Sequence, residues 1–220
     1  MPVANPLQLS PRIARRRQST SEEFVHAARH IIETNGFQGF SLELVAREVG
    51  LRKQAVYHYF DSKESVLFEV VYAELSHAAQ AVAAAVAPTT NGADAVEALL
   101  RSYFAAFKGR TRLFQLSHTV LPTFDLIRLM DSGRLSRLRP LNDLLLGGVT
   151  ERVTRDRGPG ASPDEARRFA FTAYMSVVGL LTMKALVESA GDPLRHEDEA
   201  LLATLVATHR IAVPTRSPQS

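Results

Sequence analysis

Apolar residues recur along this chain every three to four positions, and no stretch alternates apolar with polar in the manner of a strand. The pattern predicts helices throughout. In residues 21–35, Phe24, Ala27, Ala28, Ile31 and Ile32 share one face, with Ser21 placed as a cap and Gly36 placed to end the helix. Residues 41–49 repeat the pattern, with Ser41 as cap and Leu42, Val45, Ala46 and Val49 inward. Gly50 makes a turn, Leu51 is set to plug the core, and a short helix spans residues 53–59. A fourth helix begins at Asp61 or Ser62, with Glu64 completing a capping box if Asp61 is the cap. It continues through an alanine-rich stretch to about residue 86.

Beyond a loop at residues 88–92, helices are predicted at 93–108, 112–121 and 124–157, the last broken near Gly133 and Pro140. Gly158-Pro159-Gly160 is the clearest linker, and Ser162-Pro163 after it reads as a cap followed by proline in the first turn. Helices at 163–190 and 194–211 close the chain. The fold class is therefore all-α, about nine helices: an amino-terminal three-helix helix-turn-helix unit and a larger helical unit. The expected organisation is a flexible basic arm at 1–20, the helix-turn-helix at 21–68, a larger helical domain at 69–213, and a disordered tail at 214–220.

Composition narrows the chemistry. No cysteine is present, which excludes disulfides, thiolate metal sites and a cysteine nucleophile. The hydrophobic share of 45% is ample for a packed core. The net charge is only +3 but is spread unevenly. Residues 1–20 hold Arg12, Arg15, Arg16 and Arg17 and no acid, the pattern of an arm that meets a polyanion. Residues 101–157 hold eleven basic and five acidic residues. The amino terminus lacks the apolar core of a secretory signal, and the apolar run 169–183, flanked by Arg168 and Lys184, is shorter than the roughly 20 residues of a membrane span. A cytoplasmic protein with no membrane partner is expected.

Helix three carries the chemistry. Val56 and Phe60, four apart, share the buried face, so Lys53, Gln54, Tyr57 and His58 point away from it. Lysine can donate to guanine or phosphate, and glutamine can pair with adenine N6 and N7 in the major groove. Tyr57 and Tyr59 can donate hydroxyls to phosphate, and the Ala55 methyl can touch thymine. Ser41 stands where a helix amino terminus can meet phosphate, and Lys63 can clamp the other backbone edge. Arg52 precedes helix three where a capping oxygen would be favoured, which suggests a contact with phosphate or guanine instead.

The run Ser41-Leu-Glu-Leu-Val-Ala-Arg-Glu-Val-Gly50, then Leu51-Arg-Lys-Gln-Ala-Val-Tyr-His-Tyr-Phe60, followed by Ser62-Lys63-Glu64, resembles the DNA-binding domain of TetR-family transcriptional regulators. The resemblance covers about the first third of the chain. It implies that Ser41, Lys53, Gln54, Tyr57, Tyr59 and Lys63 lie at a DNA interface. Arg52 departs from it, because the family pattern often has Ser or Thr there. It also implies a homodimer, with residues 69–213 as a ligand-binding and dimerisation domain.

In the second domain the residues assigned to ligand binding are Tyr103, Phe107, Phe114, His118, Phe124, Tyr174 and Met175, of which Tyr103, His118 and Tyr174 can orient a ligand. Two readings stay open for them, cavity lining and plain core. Arg134, Arg137 and Arg139 suit an anionic effector such as a fatty acid or acyl-CoA, or a solvated face. Ala173, Ser176, Val177, Leu180, Leu181, Lys184 and Val187, with Leu201, Leu202, Leu205, Val206 and His209, form either a dimer seam or part of their own subunit's core.

No catalytic residue, cofactor or metal is assigned. His26 and His30 have metal-ligand spacing, but no third ligand is suggested, and the enzyme motifs with phosphate loops, nucleophile elbows or His-Glu-x-x-His are missing. The expected partners are a double-stranded DNA operator, an unknown small molecule and a second copy of the chain. The expected function is a homodimeric repressor released from a near-palindromic operator by a small apolar effector. The alternative is an activator, or a DNA-binding protein controlled by a partner rather than a small molecule.

Overall fold

The computed structural model describes residues 11–120, 132–190 and 196–212, and every regular element among them is helical. The chain divides into two compact units at Val71 and Tyr72.

The first unit holds α1 (Pro11–Asn35), α2 (Leu42–Glu48), α3 (Lys53–Val56) and the start of α4 (Lys63–Val86). Its core is Phe24, Ala27, Ala28, Ile31 and Ile32 of α1, Leu42, Val45 and Ala46 of α2, and Val56 and Phe60. Ser41 caps α2, its Oγ accepting from Leu44 N–H at 3.2 Å. Gly50 takes φ +74°, a left-handed turn that lets Leu51 N–H reach back to Ala46 C=O at 2.8 Å.

Three details depart from the sequence reading. Helix α1 begins ten residues before Ser21, at Pro11, so Arg12, Arg15, Arg16 and Arg17 stand on a helix rather than a flexible arm. Proline fits a first helical turn, and three consecutive arginines are good helix formers. Leu51 does not plug the core: it is 43% exposed, whereas Val56 and Phe60 are buried. Helix α3 is regular only to Val56, then continues as turns through Tyr59. Of the two predicted starts of α4, Ser62 carries the cap: Ser62 Oγ accepts from Ser65 N–H at 3.2 Å and Ser65 Oγ from Ser62 N–H at 3.1 Å.

The second unit contains the rest of α4, then α5 (Gly92–Phe107), α6 (Thr111–Gln115) running into a π-helical turn (Leu116–Val120), α7 (Ser132–Ser136), α8 (Arg139–Arg157), α9 (Pro163–Ala190) and α10 (Asp198–Ile211). Helix α5 is the centre. Ala95, Val96, Leu99, Leu100, Tyr103, Phe104 and Phe107 are buried against α8, α9 and α10. Gly92 permits a close approach: a Cβ there would stand 2.9 Å from Val153 Cγ2. Its N–H donates to Asp156 at 2.6 Å. The predicted break near Pro140 is present: α7 ends at Ser136, a turn covers residues 137–138, and Pro140 sits in the first turn of α8. Phe124, in the predicted 124–157 helix, lies outside the described residues.

Helix α9 has two apolar faces. Ala166, Ala170, Ala173, Val177, Leu181 and Ala185 are buried in its own unit. Phe171, Met175, Met183 and Leu186 are exposed, at 48%, 56%, 56% and 57%. The predicted seam therefore needs correcting: Ala173, Val177 and Leu181, with Leu202, Val206 and His209 of α10, belong to the subunit's own core. The segment Pro163–Val187 is also long and apolar enough, by length and composition, to cross a membrane, longer than the 169–183 run suggested.

Replacing Gly50 by alanine forces a Cβ into the left-handed region. Nothing crowds that Cβ, so the cost is backbone strain alone, about 1–2 kcal/mol. Chemical denaturation followed by circular dichroism should show that loss; an unchanged midpoint would contradict the turn assignment.

Candidate nucleic-acid interface and effector site

A four-residue helix has almost no stability of its own, so the placement of α3 rests on what it buries. Val56 is fully buried and Phe60 nearly so, the Phe60 ring meeting Phe24 edge-on at 6.2 Å between centroids. With that face fixed inward, Arg52, Lys53, Gln54, Tyr57 and His58 are exposed, and Tyr57 is half exposed. Ala55 is partly buried. Tyr59 is less free than the sequence suggests, because its ring packs on Phe24 at 5.4 Å.

Arg52 occupies the cap position of α3 without a side-chain capping bond, leaving its guanidinium in solvent. Ser41 caps α2 and so is already engaged at its own helix amino terminus. Lys63 is held by two rings, its ammonium 5.2 Å from the centroid of Phe37 and 5.3 Å from that of Phe40. Such cation–π contacts are worth about 0.5–1 kcal/mol at exposed sites and fix the stem of the side chain. Nothing in the sequence reading drew on Phe37 or Phe40, although both lie within a few residues of the Ser41 cap.

Arg15, Arg16 and Arg17 are exposed on the first turns of α1. Arg17 donates to the His58 carbonyl at 3.0 Å, tying the basic segment to the end of α3. Among the described residues no group of three or more His, Asp or Glu side chains gathers in metal-binding geometry, and His26 and His30 acquire no such companion.

In the second unit, three polar residues from three elements meet inside an otherwise apolar core: Tyr103 of α5, His118 of the π-helical turn and Tyr174 of α9. The Tyr103 hydroxyl lies 2.8 Å from His118 Nε2 and 3.3 Å from the Tyr174 hydroxyl. The Tyr174 hydroxyl is 3.4 Å from His118 Nε2. Phe114 stacks on the imidazole at 4.5 Å, and Phe107 meets it edge-on at 5.7 Å. Of the residues assigned to ligand binding, these five come together. Met175 does not join them; it is on the exposed face of α9.

Burial lowers the His118 imidazole from its ordinary 6.5 to about 4, against the opposing effect of its hydrogen bond to Phe114 C=O. Burial likewise raises the Tyr103 and Tyr174 phenols above their ordinary range. The cluster is therefore uncharged near neutrality. Tyr174 also lines a cavity of about 430 Å³ with Asn142, Leu145, Leu146, Asp164, Arg167, Arg168 and Phe171. Of the arginines considered for an anionic effector, Arg137 lies over the Tyr72 ring at 4.1 Å and Arg139 is exposed.

Charged pairs fasten the rim. Arg210 of α10 donates to Asp94 at 2.9 Å and Glu97 at 2.7 Å, and Arg101 bridges Glu97 and Glu199 at 2.8 Å each. Glu74 of α4, itself buried, is paired with Arg110 just ahead of α6.

Residues 24–70, within the helix-turn-helix unit, match the model of the family described as bacterial regulatory proteins, tetR family. Solved structures with the same fold include a TetR family transcription regulator from Marinobacter aquaeolei VT8, 17% identical, covering 92% of this chain and 100% of that one, with a TM-score of 0.63. A protein with unknown function from Rhodococcus sp. RHA1 is 18% identical over 96% of this chain and 99% of its own, with a TM-score of 0.67. A transcriptional regulator of the TetR/AcrR family from Thermobifida fusca YX-ER1 is 18% identical over 87% and 97%, with a TM-score of 0.63. Comparison with curated protein sequences gave no match. The chain has the TetR-like fold, an amino-terminal helix-turn-helix domain followed by a helical carboxy-terminal domain.

The state of His118 makes stability depend on pH. The folded chain resists protonating this imidazole down to about pH 4, while the unfolded chain takes the proton below about 6.5. Stability should therefore rise with pH across that window. His209, also lowered by burial, adds to the slope. Urea titrations at several pH values should show a shallower slope for His118→Gln than for the wild type; equal slopes would contradict a buried, neutral His118.

Proposed function

We propose that this protein is a homodimeric transcriptional repressor, cytoplasmic in location, that leaves a near-palindromic operator when a small molecule occupies its second unit. The observation that carries the DNA-binding half is the outward face of α3, Lys53, Gln54, Tyr57 and His58, anchored by buried Val56 and Phe60 within the segment that matches the family. In this reading Lys53 and Gln54 meet base edges and Ala55 meets a thymine methyl. Arg52, Tyr57, His58, Tyr59, Lys63 and Ser41 hold phosphates or the groove edge, and Arg15, Arg16 and Arg17 follow the backbone from α1. No part of it requires a reaction, and the chain acts as a regulator rather than an enzyme.

One helix-turn-helix reads only a few base pairs, so useful specificity needs two copies about 34–36 Å apart. The exposed apolar row of α9, Phe171, Met175, Met183 and Leu186, supports pairing through that helix. The exposed face of α10 beside it carries Ala200, Ala203, Thr204 and Ala207, small enough for close helix approach. Two helices from each subunit then make a four-helix bundle. An effector shifts the equilibrium only by binding the released state more tightly than the DNA-bound one. Helix α4 carries the chain from the reading unit into the effector unit.

Fluorescence anisotropy on DNA from upstream of the protein's own gene tests the assignment. Gln54→Ala should lose roughly 1–3 kcal/mol on the cognate site and little on random DNA. Lys63→Ala should weaken both alike and make the salt dependence shallower by about one unit of slope. Equal losses on both DNAs for Gln54→Ala would remove its base-reading role.

A double substitution, Met175→Glu with Met183→Glu, places charges in the proposed seam without touching the subunit core. Sedimentation should show monomers with native helix content and severely weakened operator binding. A dimer that survives both charges would move the interface elsewhere.

A further inference from the structure

The Tyr103, His118 and Tyr174 cluster has a defined direction. The Phe114 carbonyl can only accept, so the 3.2 Å bond to His118 Nδ1 requires the proton on Nδ1. Nε2 is then bare and accepts, and the nearest hydroxyl, Tyr103 at 2.8 Å, donates to it. Having spent its single proton, Tyr103 can only accept from Tyr174 at 3.3 Å. The chain runs Tyr174 to Tyr103 to His118 to the Phe114 carbonyl. Every donor is used. The Tyr174 hydroxyl oxygen, at the head of the chain, accepts from none of the described residues.

Stability does not explain this arrangement. The surrounding core is apolar, with Val96, Leu99, Leu100, Phe104, Phe107 and Phe114 all buried. Replacing hydrogen-bonded partners by apolar groups of similar shape is often close to neutral. Three polar residues from three separate elements, one of them on a π-helical turn, are what a recognition site needs and a core does not. None of the described hydrogen bonds or ring contacts of these three residues involves a charged side chain. The charged residues of the cavity that Tyr174 lines begin at Arg168, six residues back on α9, about 9 Å along the helix axis.

We propose that this cluster recognises an uncharged effector through a hydroxyl or N–H group that donates to the Tyr174 oxygen, and that it rejects carboxylates. The proposal rests on the effector-controlled reading above and gives that effector its chemistry. A donor from the ligand completes the chain without breaking any bond in it. A carboxylate would bring a charge to a neutral imidazole and two phenols whose protons are already committed, with no cation in the cluster to offset its desolvation.

Three probes of one shape separate the possibilities: 4-ethylphenol, a donor; 4-ethylanisole, the same ring with the donor capped; and 4-ethylbenzoate, an anion. Each is titrated by calorimetry into full-length protein, wild type, Tyr174→Phe and Tyr103→Phe, after circular dichroism has checked the folding of each variant. The wild type should prefer the phenol to the anisole by about fivefold to tenfold, the worth of one hydrogen bond, and bind the benzoate most weakly. Tyr174→Phe should erase the phenol preference and leave anisole affinity within about twofold. Tyr103→Phe keeps the Tyr174 oxygen and should keep the preference, which a general loosening of the core would not.

The proposal is overturned by a phenol preference that survives Tyr174→Phe, by equal binding of phenol and anisole, or by binding of none of the three probes. It is also overturned if the benzoate binds tightest, which would point to Arg167 and Arg168. DNA binding is measured separately with the phenol present. If the phenol binds with the expected preference but leaves DNA affinity unchanged, the site stands and the effector-release reading falls.

Discussion

A helix of four residues cannot hold itself together in water, and α3 is that short. Its orientation comes from Val56 and Phe60, which sink into a core made by Phe24, Ile31 and Ile32 of α1 and by Val45 and Ala46 of α2. Once those two side chains are buried, the helix cannot rotate without exposing them. The groups at Lys53, Gln54, Tyr57 and His58 are thereby aimed outward as a set. Gly50 supplies the sharp turn that brings α3 across α2, and Arg17 reaches the carbonyl at its far end. The surface chemistry of the unit follows from a buried apolar contact that touches no DNA.

The second unit solves a different problem. Helix α5 is wrapped by α8, α9 and α10, and that core needs only apolar residues. It nonetheless holds Tyr103, His118 and Tyr174, bonded in a directed chain whose last acceptor is a backbone carbonyl near the π-helical turn. That turn carries His118 and follows α6, whose start is adjacent to Arg110, the partner of buried Glu74 on α4. A ligand that engaged Tyr174 would thus act on elements already joined by polar bonds, in a packed interior that passes displacement on rather than absorbing it.

Much of this was legible in the sequence. Period and caps located α2, α5 and α9 to within a residue or so, because Ser41 and Pro163 mark helix starts by local chemistry and the loop at 88–92 marks the start of α5. The outward set on α3 was legible because a four-residue spacing fixes Val56 and Phe60 on one face. Four features were not. Ser21 looks like a cap, but nothing between Pro11 and Ser21 breaks a helix, so the helix passes through it. Leu51 looks like core by its side chain, yet it is Val56 and Phe60, further along, that are buried. On α9 both faces are apolar, so periodicity could not say which one the subunit keeps; only packing against α5 decides that Ala173 and Val177 turn inward and Met175 and Met183 outward. The meeting of Tyr103, His118 and Tyr174 depends on tertiary contacts across as many as 71 residues, beyond the reach of any local signal.

The central claim is that two copies of α3, each fixed by Val56 and Phe60, read one stretch of duplex. Selection of bound duplexes from a fully randomised DNA library by the purified full-length protein, followed by sequencing, tests it directly. The account expects enrichment of an inverted repeat whose half-sites lie about 34–36 Å apart, centre to centre, on one face of the DNA. Enrichment of a single unrepeated half-site, or no enrichment over the starting library, would contradict it.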